Sequence, residues 1–297
     1  FCDIDIHTFN IDVNQIESKI NSKTKAIYPV TLFGLTPDMT TIQSLARKNS
    51  LRIVEDCACG LGAKKGDTHC GLFGEGGVLS FHPRKSITTG EGGMIITNNE
   101  QVYNSARRLR EHGAVKSDYE RHKGIKSFEM TEYPVLGHNM RMTDLQGAMG
   151  VAQSKKIEEI LNRKNNLAKE FDAHLSDIDW LLKPSSPSGY SHSYQTYCTL
   201  FKPEETINAI AHKDKAKIES LHKERNELME ALEEQGITTR PGTHTVHIQK
   251  YYKNKYQFDP MDFPNAYAAS HLSLALPFYP TMTEKEVSYL FKTLKDI

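Results

Sequence analysis

The stretches LRIVED at residues 51–56 and SFHPRKSITTGEGG at residues 80–93 decide the fold. The first is an apolar segment that ends in an acid pair, and the second carries Lys85 ahead of a glycine-rich turn. Ligands of open α/β sheets bind beyond the carboxyl ends of the strands, so Asp56 is predicted at the binding edge. The glycines after Lys85 permit tight turns and a close backbone approach. The two stretches therefore predict a ligand site that joins a carboxylate and an amine.

Strand and helix patterns alternate around these stretches, with short links between them. Strands are predicted at residues 24–30, 51–55, 76–81 and 93–97, and helices at residues 11–22, 38–49 and 99–111. The order strand, helix, strand is typical of a parallel α/β sheet. The last two strands flank the loop that carries Lys85.

The composition changes at KPSSPSG, residues 183–189, which predicts a large domain at 1–183 and a smaller one at 184–297. Other predicted elements are a polar loop at 114–137, a long helical stretch at 143–175, a strand at 194–200, a flexible insertion at 202–217, and helices at 215–235 and 284–294. A loop as long as the first of these tends to be functional or mobile.

Charge and cysteine content exclude several classes of protein. The chain has 297 residues, with 37 Lys plus Arg and 37 Asp plus Glu, so its formal net charge is zero. A zero net charge gives no electrostatic support for binding to nucleic acid or to an anionic membrane. No apolar run approaches the roughly 18 residues of a membrane helix. Five scattered cysteines, an odd number, favour reduced thiols in a cytoplasmic protein. The chain opens at Phe1 in what reads as the middle of an element, so we expect a preceding N-terminal portion.

Lys85 and Asp56 together are what a pyridoxal phosphate enzyme requires. A lysine amine forms an imine with the cofactor aldehyde, and a carboxylate keeps the pyridine nitrogen protonated so that the ring accepts electrons. Each residue also has a plainer interpretation, because an acid after a strand can cap a helix or turn and most lysines are solvated. The combination, rather than either residue alone, predicts the cofactor.

A metal site is the competing interpretation of the cysteines. Cys57, Cys59, His69 and Cys70 are zinc-ligand types that lie close together in sequence. A Cys-x-Cys pair lacks the usual two-residue spacer, however, and adjacent His and Cys ligands are awkward for tetrahedral coordination. We therefore predict free thiols and no metal site.

Four ordered motifs resemble those of the DegT/StrS family of nucleotide-sugar aminotransferases. They are VEDCACGLGA at residues 54–63, SFHPRK with TTGEGG at 80–93, GHNMRMTDLQ at 137–146, and FPNA with LSLALP at 263–277. The resemblance implies a fold-type-I pyridoxal phosphate enzyme with a mainly parallel central sheet, helices on both faces and a smaller C-terminal α/β domain. It also implies a homodimer with shared active sites.

The resemblance implies roles for four residues in binding the cofactor. Lys85 is similar to the lysine that holds the cofactor and shuttles protons, and Asp56 to the partner of the pyridine nitrogen. Ser80 resembles a ligand of the cofactor phosphate. Asn139 resembles the residue that reaches across the dimer toward the neighbouring cofactor phosphate.

Four further positions leave alternatives open. Arg141 resembles a residue that contacts substrate or orders its own loop. His247 resembles a histidine near the sugar site, and a satisfied structural histidine is the alternative. Cys59 stands where the family often has Gln or His in contact with the cofactor ring, and a thiol is a weaker hydrogen-bonding group. Thr31 stands where a histidine is frequent. The family's phosphate-binding glycine/threonine loop and ring-stacking aromatic residue would precede Phe1.

The reaction implied is the conversion of a keto group on a nucleotide-linked sugar into an amine, with glutamate as the amino donor. Two alternatives stay open. Relatives that dehydrate sugars carry histidine in place of the lysine, so Lys85 opposes the first. The second alternative is a non-catalytic relative that keeps only the fold, and the intact set of Asp56, Ser80 and Lys85 opposes it. The sugar, its nucleotide and the stereochemistry do not follow from the sequence.

Overall fold

The computed structural model describes residues 1–115 and 131–297. Within these ranges the strands are β1 (Ala26–Ile27), β2 (Arg52–Asp56), β3 (Lys64–Lys65), β4 (Thr68–His69), β5 (Gly76–Ser80), β6 (Gly93–Ile96), β7 (Leu181–Leu182), β8 (Tyr190–Ser191), β9 (Cys198–Phe201) and β10 (Ser273–Ala275). The helices are α1 (Val13–Lys19), α2 (Met39–Lys48), α3 (Glu100–Arg110), α4 (Asp144–Ser154), α5 (Ile157–Leu175), α6 (Pro203–Ala211), α7 (Lys215–Glu234), α8 (Lys250–Tyr256), α9 (Pro264–Leu272) and α10 (Glu284–Asp296). Most of the loop predicted at 114–137 lies outside the described residues.

The central sheet has the strand order β1-β2-β5-β6. β2 pairs parallel with both β1 and β5, and β6 runs antiparallel to β5. Helices pack on both faces of this sheet, which confirms the predicted α/β fold class. Because neighbouring parallel strands end at the same edge, Asp56 and Ser80, the last residues of β2 and β5, lie at one edge of the sheet.

Helix α2 packs on the sheet through an apolar face. Met39 and Ile42 are fully buried, in one cluster with Ile53 of β2. The Asp38 side chain accepts backbone N–H bonds from the first turn and so caps the helix. The helix predicted at 38–49 is therefore confirmed, with each end displaced by one residue.

The C-terminal part contains a second sheet, antiparallel, in the order β10-β9-β7. α9 packs against this sheet and against α6 and α7. The largest core cluster combines these elements with α5 and with Phe9 and Phe33 from the first part of the chain. Apolar packing thus continues across residue 183, and the division into domains at 1–183 and 184–297 stays a prediction. None of the described helices is long and apolar enough to cross a membrane.

The single helical stretch predicted at 143–175 is two helices. α4 ends at Ser154 and α5 begins at Ile157. Lys156 between them has φ −104° and ψ 2°, and no glycine or proline marks this break. α4 buries none of its residues, whereas α5 buries a stripe. Residues 153–156 across the break are polar residues that a helix also accepts, which is why the sequence does not show it.

The flexible insertion predicted at 202–217 is wrong. Residues Pro203–Ala211 form α6, with Thr206 and Ala209 buried. Lys202, which precedes the helix, bonds through Nζ to Glu224 Oε2 of α7 at 2.5 Å. The polar residues here lie on the outer side of a packed helix, and composition alone does not distinguish that arrangement from a loop.

Glu55, the neighbour of Asp56, is a buried carboxylate that holds the turn after β4. It is 1% exposed and accepts backbone N–H bonds from Gly71 at 2.7 Å, Phe73 at 2.8 Å and Gly74 at 3.2 Å. Burial raises the pKa of this carboxyl, and the three backbone bonds oppose that shift. Of the acid pair, one member is therefore structural and the other lies at the sheet edge.

We expect Glu55→Gln to lower the free energy of unfolding by about 1–3 kcal/mol, because one backbone donor would face an amide NH₂ and lose its buried acceptor. Guanidinium unfolding followed by circular dichroism measures this. Glu17→Gln is the control, since the Glu17 side chain is 55% exposed. Equal stability of the Glu55→Gln variant and the unaltered protein would contradict a structural role for Glu55.

Candidate active site

Asp56 presents its carboxylate at the end of β2. Oδ1 accepts the Ala58 N–H bond at 3.0 Å, and the Tyr28 hydroxyl donates to Oδ2 at 3.3 Å. The backbone is held as well, because Thr31 N–H bonds the Asp56 carbonyl at 2.8 Å. Burial raises the pKa of the Tyr28 hydroxyl, and the Asp56 charge raises it further. The carboxylate therefore has a defined orientation and a neutral hydroxyl beside it.

Lys85 lies against the turn at residues 57–60, which directly follows Asp56. Its Nζ is 3.1 Å from Cys59 Sγ, in a turn closed by a 2.8 Å bond from Gly60 N–H to the Cys57 carbonyl. A second turn holds the lysine backbone, since Lys85 N–H bonds the His82 carbonyl at 2.9 Å. The amine and the carboxylate, 29 residues apart in sequence, thus both contact one four-residue turn, the amine at Cys59 and the carboxylate at Ala58.

Two helices hold the loop that follows Lys85. From α4, Gln146 Nε2 donates to the Glu91 carbonyl at 2.8 Å, and Gln153 Oε1 accepts the Thr88 N–H bond at 3.1 Å. From α5, the Lys164 ammonium bonds Ser86 Oγ at 3.2 Å. The loop is therefore fixed by side chains that lie far from it in sequence.

Ser80 lies at the end of β5, opposite Gly93 of β6. Its Oγ accepts the His82 N–H bond at 3.4 Å, which leaves the hydroxyl proton available to a ligand. Because Asp56 pairs with Val78, two residues before Ser80, the hydroxyl projects from the same sheet edge as the carboxylate.

Asn139 and Arg141 lie on the exposed segment before α4. Asn139 forms an antiparallel bridge with Glu111, and its Oδ1 accepts the Arg141 N–H bond at 3.4 Å. Arg141 Nη1 is 3.7 Å from Glu111 Oε1. Both residues thus sit beside the C-terminal end of α3.

His247 is 3% exposed and has structural contacts. Its Nε2 bonds the Pro260 carbonyl at 3.0 Å, and its ring lies 4.8 Å from that of Phe263. Burial lowers the pKa of this imidazole, so it is neutral at pH 7. None of these neighbours belongs to the turn that holds Lys85. The predicted substrate role of His247 therefore stays a prediction.

The side chains of the competing zinc interpretation make hydrogen bonds to backbone groups of this chain. Cys70 Sγ donates to the Gly60 carbonyl at 3.0 Å, and His69 Nε2 accepts the Gly62 N–H bond at 2.9 Å. Within residues 1–115 and 131–297, no three His, Cys, Asp or Glu side chains are grouped for a metal ion. A hydrogen bond with Cys57 raises the pKa of the Cys70 thiol, and burial raises it further.

Three residues of this region were not predicted from the sequence. Tyr28 stands at the end of the strand beside β2, a position that could have indicated it. Gln153 and Lys164 contact the lysine loop from helices more than 60 residues away, and no local pattern marks them.

The donor set fits pyridoxal phosphate. Lys85 offers an amine for the aldehyde, Asp56 a carboxylate for the pyridine nitrogen, and Ser80 a hydroxyl for the phosphate. All three lie on β2, β5 or the segments that directly follow them. The fold and this set of side chains define a class, the pyridoxal phosphate-dependent enzymes of fold type I.

The chain belongs to the DegT/DnrJ/EryC1/StrS aminotransferase family, whose model matches residues 1–295. It is a pyridoxal phosphate-dependent sugar aminotransferase, as its motifs implied. The family assignment covers both parts of the chain, and it agrees with the cofactor predicted from Lys85 and Asp56.

Individual relatives agree with this assignment. An uncharacterized protein of Methanocaldococcus jannaschii is 32% identical over 299 residues, covering 100% of this chain and 73% of its own. GDP-perosamine synthase of Escherichia coli O157:H7 is 31% identical, with 100% of this chain and 72% of its own covered. A putative sugar aminotransferase of Streptococcus pneumoniae, solved in its PMP form, superposes with a TM-score of 0.85 at 24% identity, over 99% of this chain and 74% of its own. This last likeness shows the shared fold.

Proposed function

We propose that this enzyme transfers the amino group of glutamate to the keto group of a nucleotide-linked sugar. The carrying observation is the 3.1 Å contact between Lys85 Nζ and Cys59 Sγ, at the turn that Asp56 opens. It brings an amine and an oriented carboxylate to one sheet edge. The relative named GDP-perosamine synthase supports a nucleotide-linked sugar as substrate.

The proposed roles follow from where each side chain lies. When bound, pyridoxal phosphate supplies an aldehyde that takes up and returns an amino group, and a ring that accepts electrons. Lys85 holds the cofactor through its amine and, once released, moves a proton between donor or sugar carbon and cofactor carbon. Proton transfer of this kind contributes about 10²–10⁴-fold to the rate.

Asp56 holds a proton on the pyridine nitrogen through its carboxylate, which Tyr28 and Ala58 orient. Ser80 donates its hydroxyl to the cofactor phosphate. Cys59 accepts a hydrogen bond from the Lys85 amine and thereby directs it toward the sheet edge. The thiol is a weak acceptor, so the amine exchanges this contact for a cofactor bond at small cost.

A homodimer is part of the proposal. The segment around α4 exposes large apolar side chains, with Leu136 at 90%, Leu145 at 85% and Met140 at 65%. Apolar patches of this kind mark interfaces. Asn139 and Arg141 are exposed in the same segment, so a second copy seated here would receive them beside its own active site. The free thiols Cys2, Cys57, Cys59, Cys70 and Cys198 support a cytoplasmic protein.

Two half-reactions test the function separately. The protein is purified with pyridoxal phosphate, and glutamate is added in the absence of sugar. We expect the visible absorbance of the aldehyde form to be replaced by that of the amine form, with one 2-oxoglutarate released per subunit. A panel of keto-sugar nucleotides should then restore the first spectrum, and mass spectrometry should find the amino-sugar. Alanine in place of glutamate is the control for the donor.

The two alternatives have distinct outcomes in this experiment. Sugar dehydration without consumption of glutamate would indicate the dehydratase-like activity. A protein that binds no cofactor at all would indicate a non-catalytic relative. Light scattering on the same preparation measures the dimer.

A further inference from the structure

Lys164 is a buried amine that the roles above do not use. It lies on α5, on the same stripe as Ala168, Phe171 and Leu175, and is 5% exposed. A lysine is almost never this buried without a charged partner. The stripe that anchors α5 in the core therefore carries a cation where an apolar residue would pack at lower cost.

The charge of Lys164 has no carboxylate partner among the residues that the structure describes. Within residues 1–115 and 131–297, the Lys164 ammonium has no carboxylate oxygen within 4.0 Å, and its hydrogen bond goes to Ser86 Oγ at 3.2 Å. Burial lowers the pKa of Lys164 to about 8, and the Cys59 thiol nearby opposes the shift. His192, also 5% exposed, is neutral, because burial and the Lys164 charge lower its pKa to about 3.

Lys164 is connected to the Lys85 loop through Ser86. Ser86 directly follows Lys85 in sequence, and Cys59 accepts the hydrogen bond of the Lys85 amine. The titratable groups whose charges couple to that of Lys164 are Cys59 on the turn after β2 and His192 after β8. A buried charge of this kind does not stabilise the fold. Its place beside the candidate site therefore indicates a role in the site.

We propose that Lys164 is a positioning residue, which holds the loop that carries Lys85 through its hydrogen bond to Ser86 Oγ. This inference rests on the proposed role of Lys85. The ammonium donates to Ser86 and fixes the backbone at the residue next to Lys85.

Three variants separate this role from packing. Lys164→Met keeps the length of the side chain and removes the charge, and Lys164→Arg keeps the charge at all working pH values. Ser86→Ala removes the acceptor. Lys169→Met is the matched control, because Lys169 lies on the exposed side of the same helix. Loss of an unpaired buried charge leaves stability equal or higher, so we expect Lys164→Met to fold.

We expect kcat of Lys164→Met to fall by about 10²-fold with KM for glutamate changed less than about twofold, the size typical of a misplaced reacting group. Lys164→Arg should restore most of kcat. Lys164 carries its charge below a pH of about 8 and loses it above. The unaltered enzyme should therefore lose kcat as pH rises through that value, whereas Lys164→Arg should not.

A readout that needs no cofactor completes the test. In the cofactor-free protein, hydrogen exchange of the peptide covering residues 82–90 should be faster in Lys164→Met and Ser86→Ala, and normal in Lys164→Arg and Lys169→Met. Unchanged kcat, pH profile and exchange in Lys164→Met would overturn the inference. If Lys164→Met does not fold, unchanged kcat and exchange in Ser86→Ala would overturn it instead. Borohydride labelling of the unaltered enzyme is read independently: if Lys85 carries no label, the proposed function itself fails.

Discussion

Replacing Lys85 by arginine should reduce kcat by about 10³-fold or more, the largest effect we expect of any single substitution. Proton transfer alone contributes about 10²–10⁴-fold, and the guanidinium can neither lose its proton nor bond covalently to an aldehyde. The variant should still fold, because Lys85 is only half-buried and arginine keeps the charge. Steady-state assay with glutamate and borohydride labelling with peptide mapping measure the two consequences.

Lys48→Arg is the control for Lys85→Arg, since the Lys48 side chain is 66% exposed in a surface ion pair with Glu17. It should keep full activity and full labelling at Lys85. Label on a different lysine in the unaltered protein, or activity of Lys85→Arg within tenfold of normal, would remove Lys85 from its proposed role.

Asp56→Asn should lower kcat by about 10²–10³-fold, the range seen when one oriented group that stabilises developing charge is removed. Asparagine keeps the acceptor for Ala58 N–H, and its amide can donate to the Tyr28 hydroxyl, so the local structure should survive. The negative charge is lost, and with it the group that keeps a proton on the pyridine nitrogen. Cofactor still binds through Lys85, but its absorbance spectrum should change.

Asp67→Asn tests whether loss of any acid has this effect, because Asp67 is exposed in the turn between β3 and β4. We expect normal kcat and a normal spectrum for it, and equal thermal midpoints for both variants. If Asp56→Asn keeps kcat and the cofactor spectrum of the unaltered enzyme, another residue must protonate the ring.

The central sheet was predictable because its signals are local. Helix α2 has its apolar residues on one face and a capping acid at Asp38, and β2 carries Ile53 and Val54 ahead of the acid pair. Parallel order follows from the alternation of such elements, and the strand-end rule then places Asp56. The same rule indicates Ser80 on the neighbouring strand.

The acid pair shows where local signals stop. Glu55 and Asp56 are adjacent carboxylates, and the sequence does not distinguish a structural acid from a functional one. The structure does, because side chains alternate across a strand. Glu55 faces three backbone N–H groups of the following turn, and Asp56 faces the sheet edge.

The two errors along the chain have one physical cause. The loop at 202–217 and the single helix at 143–175 were both inferred from composition and periodicity, which do not record what a helix packs against. α6 lies within a segment that is polar as a whole yet buries Thr206 and Ala209, and α4, of the same mean hydrophobic character as α6, buries none of its residues in this chain. Tertiary packing determines both outcomes.

By itself, the sequence determined the α/β class and the cofactor, and it predicted Lys85, Asp56 and Ser80 as site residues, because strand ends, glycine turns and ordered motifs are properties of short segments. Only the tertiary structure decided that the Lys85 amine meets Cys59, and that α4 and α5 hold its loop. Contacts between segments tens of residues apart depend on how helices pack on the sheet, and no short-range pattern specifies that geometry.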